Sequence, residues 1–158
     1  TLDQAPFALH RLLDDLEIMF RVRADAKGLA FSFEGIPTIP PIINGDENKI
    51  RQVLINLIDN SLKYGNRFGS TTISAFDMDE YYLIEIADNG IGIDQADLPR
   101  IFERFYRTEK SRSRKLGGTG LGLAIVKHII EAHQQTIHVR SKIDVGTTFS
   151  FTLAKATK

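Results

Sequence analysis

The chain has 158 residues, which is enough to bury the core of one domain, and its apolar fraction of 42% is that of an ordinary globular protein. Twenty basic residues balance twenty acidic ones, so no net charge favours binding to nucleic acid or to a membrane surface. Cysteine is absent, which excludes disulfides and thiolate metal sites, and no apolar run approaches the roughly 20 residues that a membrane-spanning helix needs.

The first half of the chain predicts two amphipathic helices with short strands beside them. The predicted elements are a helix over residues 7–26, strands over 29–33 and 42–43, and a helix from 47 to about 64. Gly28 ends the first helix, and Asp46 is a good N-cap for the second. The second helix is expected to bury Ile50, Val53, Leu54, Leu57, Ile58 and Leu62.

The second half predicts a hairpin, a short helix, a longer helix and a closing pair of strands. These elements cover residues 71–76 and 81–87, then 98–105, then a helix reaching about 133, and finally 136–141 and 147–153. Because helices and strands do not alternate strictly, we expect an α+β fold with helices packed on one face of a mostly antiparallel sheet.

A glycine-rich segment precedes the longer helix. Four of the six residues from 117 to 122 are glycine, so the backbone can approach a bulky anion closely. A helix start presents unpaired N–H groups and partial positive charge, which together suit phosphate. A flexible loop before a helix is an equally acceptable interpretation of these residues.

Two further segments carry polar groups suited to a nucleotide. Asp88 follows directly on a strand, where its carboxylate suits the amino group of a purine, and the glycines at 90 and 92 would let a flat ring lie against the backbone. An ordinary turn is the alternative. On the second helix, Asn56, Asn60 and Lys63 share one face, where amide oxygen suits magnesium and the ammonium suits phosphate. Periodicity alone favours a solvated polar face.

Residues 101–107 mix aromatic side chains with arginines. Phe102 and Phe105 are expected to anchor the segment and leave Arg104 and Arg107 free to reach anions. The basic stretch after it is typical of a mobile loop, or of a lid that orders over polyphosphate. No Walker or dinucleotide glycine motif is present, and we interpret all four histidines as structural.

Taken in order, these segments resemble the N, G1, F and G2 boxes of sensor histidine kinases. The boxes are NLIDNSLKY at 56–64, DNGIG at 88–92, FERFYR at 102–107 and GTGLGL at 118–123, followed by GTTF at 146–149. The resemblance covers essentially the whole chain and is to the catalytic ATP-binding domain shared with gyrase, Hsp90 and MutL, known as the Bergerat fold.

The resemblance implies a two-layer α/β sandwich, in which three helices cover one face of a mixed sheet and a mobile ATP lid spans about residues 94–119. It implies that Asp88 holds the adenine amino group, that Asn60 ligates Mg2+ with Asn56 nearby, and that Lys63 meets the phosphates. Arg107 would steady the γ-phosphate as a catalytic residue together with Asn56, Asn60 and Lys63. The remaining implied ATP contacts are Tyr64, Gly90, Gly92, Ile93, Phe105, Gly118, Thr119, Gly120, Leu121, Gly122 and Thr147.

The implied activity is that of a protein histidine kinase, with residues 1–158 forming a single cytoplasmic catalytic domain, monomeric by itself and without membrane or nucleic-acid contacts. It would bind Mg-ATP and donate the γ-phosphate to a histidine on a dimerisation domain that these residues lack, for onward transfer to a response-regulator aspartate. His10-Arg11 does not match the phosphoacceptor motif. Gln134-Gln135 stands where the family commonly has two glycines, and a left-handed glutamine there costs about 1 kcal/mol.

Two alternatives remain. One is another member of the superfamily, such as a clamp ATPase or a serine kinase, although the segment at 102–107 and asparagine rather than glutamate at position 56 favour the histidine kinase. The other is a pseudokinase that binds nucleotide only as an interaction module.

Overall fold

The computed structural model describes residues 1–34, 42–65, 68–106 and 122–156. Its strands are β1 (Ala5–Ala8), β2 (Ala30–Glu34), β3 (Ile42–Gly45), β4 (Ser70–Asp77), β5 (Tyr81–Asp88), β6 (Ile137–Lys142) and β7 (Gly146–Ala154). Its α-helices are α1 (Leu9–Lys27), α2 (Glu47–Tyr64) and α3 (Gly122–Ala132), and one turn of 3-10 helix covers Leu98–Arg100. None of the helices in these ranges is long and apolar enough to cross a bilayer.

Five strands form the main sheet, in the order β2-β4-β5-β7-β6. Strand β2 runs parallel to β4, and every other neighbouring pair in this sheet is antiparallel. Strands β1 and β3 form a separate antiparallel pair, and an isolated bridge between Ile43 and Lys155 links it to the chain just after β7. The predicted α+β fold with a mostly antiparallel mixed sheet is confirmed.

The core lies between the sheet and the three helices. Alternate residues of β4 and β5 are buried, among them Ile73, Ile84 and Ile86, whereas their neighbours such as Ser74 and Glu85 are partly exposed. Strand β7 adds the buried Phe149 and Phe151. Helix α2 packs against α1, α3 and β5. All six apolar residues predicted to be buried on α2 are at most 3% exposed, because they fall on one face at helical spacing.

The first and third predicted helices differ from the structure. Helix α1 begins at Leu9 rather than at 7, because Phe7 belongs to β1 and pairs with Ile43. The helix expected over 98–105 is a single 3-10 turn followed by further turns. Phe105 has a positive φ of 63°, a left-handed conformation that a right-handed helix cannot contain.

The helix ends follow the predicted chemistry. Gly28 is left-handed and its amide donates to the last carbonyls of α1. After α3, Gln134 takes the left-handed position with φ 60°, and the amide of Gln135 donates to the carbonyl of Ile130. This is a Schellman ending with glutamine where glycine is usual, so the expected left-handed glutamine is confirmed.

Candidate functional site

Helix α2 presents Asn56, Asn60 and Lys63 on the side opposite its buried face. The Nδ2 group of Asn56 donates to the carbonyl of Gly122 at 3.4 Å, so α2 contacts the first residue of α3. Two segments that are 66 residues apart in the chain therefore meet here. The N-terminus of α3 thus lies beside α2. The free amide groups and partial positive charge of a helix N-terminus favour the binding of anions.

The side chain of Asn60 is half-buried on the same face of α2. Within the described ranges, its amide takes part in no protein hydrogen bond, and no group of three His, Cys, Asp or Glu side chains is placed to hold a metal ion. Amide oxygen is a hard ligand that suits magnesium, which takes few protein ligands and completes its shell with water and phosphate. The donor set of this face therefore fits Mg2+ bound together with a polyphosphate.

Lys63 pairs with a carboxylate of its own helix. Its Nζ lies 3.3 Å from Asp59, and Asp59 also pairs with Arg23 of α1 at 2.8 Å. The i, i+4 spacing makes the first contact geometrically easy. The sequence does not show that Asp59 competes with phosphate for Lys63. To bind a nucleotide, Lys63 has to leave Asp59 and pair with a phosphate instead.

Asp88 ends β5 and lies between Thr71 of β4 and Thr147 of β7 in the sheet register. The amide of Gly90 donates to its Oδ1 at 2.9 Å. Burial raises the pKa of Asp88, and hydrogen bonds from Gly90, Ser61 and the Thr147 amide oppose that rise. The result is a half-buried carboxylate held at a fixed place, which is an acceptor suited to an amino group.

The glycines after Asp88 contact the chain's own backbone. A Cβ on Gly90 would lie 2.3 Å from the carbonyl oxygen of Tyr64, and one on Gly92 would lie 2.1 Å from that of Lys142. Gly92 also has a positive φ of 75°. Glycine is thus required at both positions by close packing of this loop between α2 and β6, whereas the motif by itself suggests space for a planar ring.

Ser141 on β6 organises the far side of the same loop. Its hydroxyl accepts from the amide of Ile93 at 2.7 Å, donates to the carbonyl of Gly146 at 2.9 Å and lies 2.7 Å from the hydroxyl of Thr147. The predicted site residues Ile93 and Thr147 are therefore held by one serine. Sequence reasoning missed Ser141, because an isolated serine on a strand carries no pattern.

The two phenylalanines of the 102–107 segment behave differently. Phe102 packs edge to face against Phe149 at 6.2 Å and is an anchor, as predicted. Phe105 is 65% exposed, so the prediction that it is a second buried anchor is wrong. Its left-handed backbone turns the chain and leaves the ring outside the core. The predicted site residues Arg107, Gly118, Thr119, Gly120 and Leu121 lie outside the described residues.

The C-terminus of α2 lies directly beside the Asp88 loop. The carbonyl of Tyr64 accepts from the amide of Ile91 at 3.1 Å. The carbonyls of Leu62 and Lys63 accept from the Nζ of Lys27, which is the last residue of α1. The end of α2, which carries the predicted site residues Lys63 and Tyr64, is thereby fixed relative to the Asp88 loop through the backbone bond between Tyr64 and Ile91.

Known proteins of related sequence include ATPases and sensor histidine kinases. Residues 45–157 match the family described as histidine kinase-, DNA gyrase B- and HSP90-like ATPase. Sensor histidine kinase WalK of Bacillus subtilis is 48% identical over 110 residues, a match that covers 68% of this chain and 18% of WalK. The chain thus spans about a fifth of that relative's length.

Solved structures resemble the whole chain. The catalytic domain of histidine kinase ThkA superposes with a TM-score of 0.84 at 27% identity, covering 97% of this chain and 96% of that one. Full-length ShkA, solved in complex with AMPPNP, superposes with a TM-score of 0.85 at 29% identity, covering 100% of this chain and 33% of ShkA.

Proposed function

The chain belongs to the family of histidine kinase-, DNA gyrase B- and HSP90-like ATPases, and we propose that it is the ATP-binding catalytic domain of a sensor histidine kinase. In this proposal, residues 1–158 are one domain that binds Mg-ATP and donates the γ-phosphate to a histidine on another domain of the same kinase. The observation that carries it is the convergence of Asp88, the polar face of α2 and the start of α3 on one region.

Asp88 is proposed to bind the adenine amino group. A carboxylate accepts hydrogen bonds only, so it selects a donor at that position of the purine and rejects a carbonyl. The amide of Gly90 fixes Oδ1, and the close packing of Gly90 on Tyr64 fixes the loop relative to α2. Tyr64, Gly92, Ile93, Phe105 and Thr147 complete the proposed set of contacts on this side.

The phosphates are proposed to lie along α2 towards the start of α3. Asn60 would supply an oxygen to Mg2+, with Asn56 beside it, and Lys63 would meet the phosphates after leaving Asp59. Bound magnesium would neutralise phosphate charge. The residues of the 94–119 segment, proposed as the ATP lid, would close over the triphosphate, with Arg107 on the γ-phosphate and residues 118–122 around the others.

Transfer would take place at the outer end of the triphosphate. Phosphoryl transfer depends on positioning and electrostatic stabilisation, which Asn60, Lys63 and Arg107 would provide without covalent chemistry by this chain. The acceptor is proposed to be a histidine of a dimerisation domain, and a response-regulator aspartate the next recipient. Because ATP and such regulators are cytoplasmic, the proposal places this chain on the cytoplasmic side.

Calorimetric titration with ATP, with and without magnesium, tests the proposal. We expect magnesium-dependent binding with a Kd between about 1 μM and 1 mM, the range usual for enzyme substrates. Asn60→Ala should abolish the gain from magnesium but keep magnesium-free binding, whereas Asn48→Ala, an exposed asparagine at the other end of α2, should behave as the wild type.

A second measurement tests the transfer step. A phosphoacceptor helical hairpin of a sensor kinase, supplied in trans with Mg-ATP, should become phosphorylated on histidine. Absence of ATP binding by the wild-type chain contradicts the whole proposal. Binding without transfer to any supplied acceptor contradicts the kinase assignment and favours a nucleotide-binding module.

A further inference from the structure

Helix α2 ends without the usual cap. The last four carbonyls of a helix have no intrahelical partner, and a left-handed glycine commonly satisfies them. Helix α1 ends in this way at Gly28, but Gly65 after α2 is extended, with φ −71° and ψ 150°. The carbonyls at the end of α2 therefore need donors from elsewhere in the protein.

Lys27 supplies these donors. Its ammonium donates to the carbonyls of Leu62 and Lys63, with the second contact at 3.3 Å, and the amide of Ile91 satisfies Tyr64. An ammonium group has three donors and carries positive charge, which is favourable at the negative end of a helix dipole. The final residue of α1 thus caps α2 across 35 positions of sequence.

The capped end of α2 supports the Asp88 loop. Gly90 lies so close that an added Cβ would be 2.3 Å from the Tyr64 oxygen and 2.8 Å from the Cα of Gly65. The same Gly90 amide holds the Asp88 carboxylate. A shift of the α2 terminus by a few tenths of an ångström would therefore move the loop, and the carboxylate would move with it.

We propose that Lys27 is a positioning residue for purine recognition, which holds the end of α2 in the place that directs Asp88 at the exocyclic amino group. The inference rests on the proposed ATP-binding function and deepens it. Lys27 acts through the carbonyls of Leu62 and Lys63 and through its positive charge, which lowers the pKa of Asp88 against the effect of burial. The sequence gives no sign of this role, since a lysine at a helix end is ordinary.

Titration with ATP and with ITP, both with magnesium, tests the inference. ITP carries a carbonyl where ATP carries the amino group, so a correctly placed carboxylate should favour ATP. Lys27→Met should weaken ATP binding about tenfold and leave ITP binding nearly unchanged, so that the preference for ATP falls. Lys27→Arg, which keeps charge and donors, should retain most of the preference.

The matched control is Lys155→Met. Lys155 uses its ammonium in a different contact, an ion pair with Asp77 at 2.6 Å, which lies at the other end of β5 from Asp88. This variant should keep the wild-type preference for ATP. Lys27→Gln, which keeps one amide donor, replaces the methionine variant if the latter does not fold, and thermal denaturation monitored by circular dichroism decides which variant is folded.

The pH profile is a readout that simple loss of stability would not move. ATP binding should weaken in acid as Asp88 becomes protonated, and this weakening should begin at higher pH in Lys27→Met because the carboxylate has lost a favourable cation. Equal loss of ATP and ITP affinity, or an unchanged ATP preference and pH profile, would overturn the inference. If the wild type binds ATP no better than ITP, the result contradicts the proposed contact between Asp88 and adenine, on which the inference about Lys27 rests.

Discussion

The backbone amide of Asp46 donates to Nε2 of His133 at 3.0 Å, although the two residues are 87 positions apart. Because an amide can only donate, Nε2 is the acceptor, and the ring proton lies on Nδ1, which faces the carbonyl of Ile129 at 2.8 Å. Together with the contact between Asn56 and Gly122, this bond ties the two ends of α3 to the start and the middle of the antiparallel helix α2.

His133→Ala should destabilise the domain. His133 is 8% exposed, and its loss leaves the buried Asp46 amide without an acceptor, so we expect a decrease in the free energy of unfolding of about 1–3 kcal/mol. Urea denaturation measures the change. His138→Ala, at an exposed position of β6, is the control and should change stability by less than about 0.5 kcal/mol. Equal stability of the two variants would contradict the structural role of His133.

Asp88→Asn should separate stability from function. Burial raises the pKa of Asp88 in the folded protein above its unfolded value, so ionisation of this carboxyl group destabilises the fold. This destabilisation is absent below the unfolded pKa and grows as pH rises through the folded pKa. We therefore expect the asparagine variant to have a higher Tm than the wild type at pH 7, with the difference vanishing in acid. Thermal denaturation across pH measures this.

The same substitution should impair ATP binding. Asparagine keeps an acceptor for the Gly90 amide but loses the negative charge, and we expect ATP affinity to fall at least about tenfold. A variant that is more stable and yet binds ATP normally would contradict the assignment of Asp88 to adenine. A variant that is less stable at pH 7 would contradict the dominance of burial in its pKa.

Gln134→Gly should stabilise the domain. Gln134 has φ 60° at the left-handed position after α3, where a side chain is strained and glycine is not, so a gain of about 0.5–1 kcal/mol is expected. Gln135→Gly is the contrasting variant, because the side chain of Gln135 accepts from Thr152 at 2.6 Å and its removal should be destabilising. Chemical denaturation of both variants distinguishes strain from lost contacts.

Local chemistry explains which parts of the fold could be predicted. The buried face of α2, its Asp46 cap and the hairpin of β4 and β5 follow from spacing and capping, which act over a few residues. Strand β1 was missed because Phe7 pairs with Ile43, and nothing near residue 7 encodes that partner. The segment after Leu98 was predicted as a helix because periodicity over eight residues cannot detect a left-handed residue at 105.

In the candidate site, too, local patterns could be predicted and the side-chain contacts that form on folding could not. Asp88, Asn56 and Asn60 could be singled out as candidates because their boxes occur in order, and the resemblance supplied the roles proposed for them. The ion pair between Lys63 and Asp59 and the hydroxyl of Ser141 could not be found, because they depend on which side chains meet after folding. The i, i+4 spacing puts Asp59 on the same face as Lys63, but spacing does not show that the two groups bind each other.

Gly90→Ala and Gly122→Ala should have opposite consequences. An added Cβ at Gly90 meets backbone atoms of Tyr64 and Gly65 at 2.3 and 2.8 Å, so the loop and Asp88 must move. At Gly122 the nearest atom is Cγ of Asn56 at 4.0 Å, so alanine fits at the start of α3. Inside a helix, alanine is more stable than glycine by about 1 kcal/mol of folding free energy. In the first turn of the helix we expect a smaller gain.

Gly90→Ala should therefore lower the free energy of unfolding by about 1–3 kcal/mol, because overpacking against backbone cannot relax cheaply, and ATP binding should fall with it. Gly122→Ala should fold at least as stably as the wild type. Urea denaturation and ATP titration on both variants measure these effects. If Gly90→Ala kept its stability and lost only ATP affinity, the space beside Gly90 would belong to the nucleotide ring and not to the end of α2.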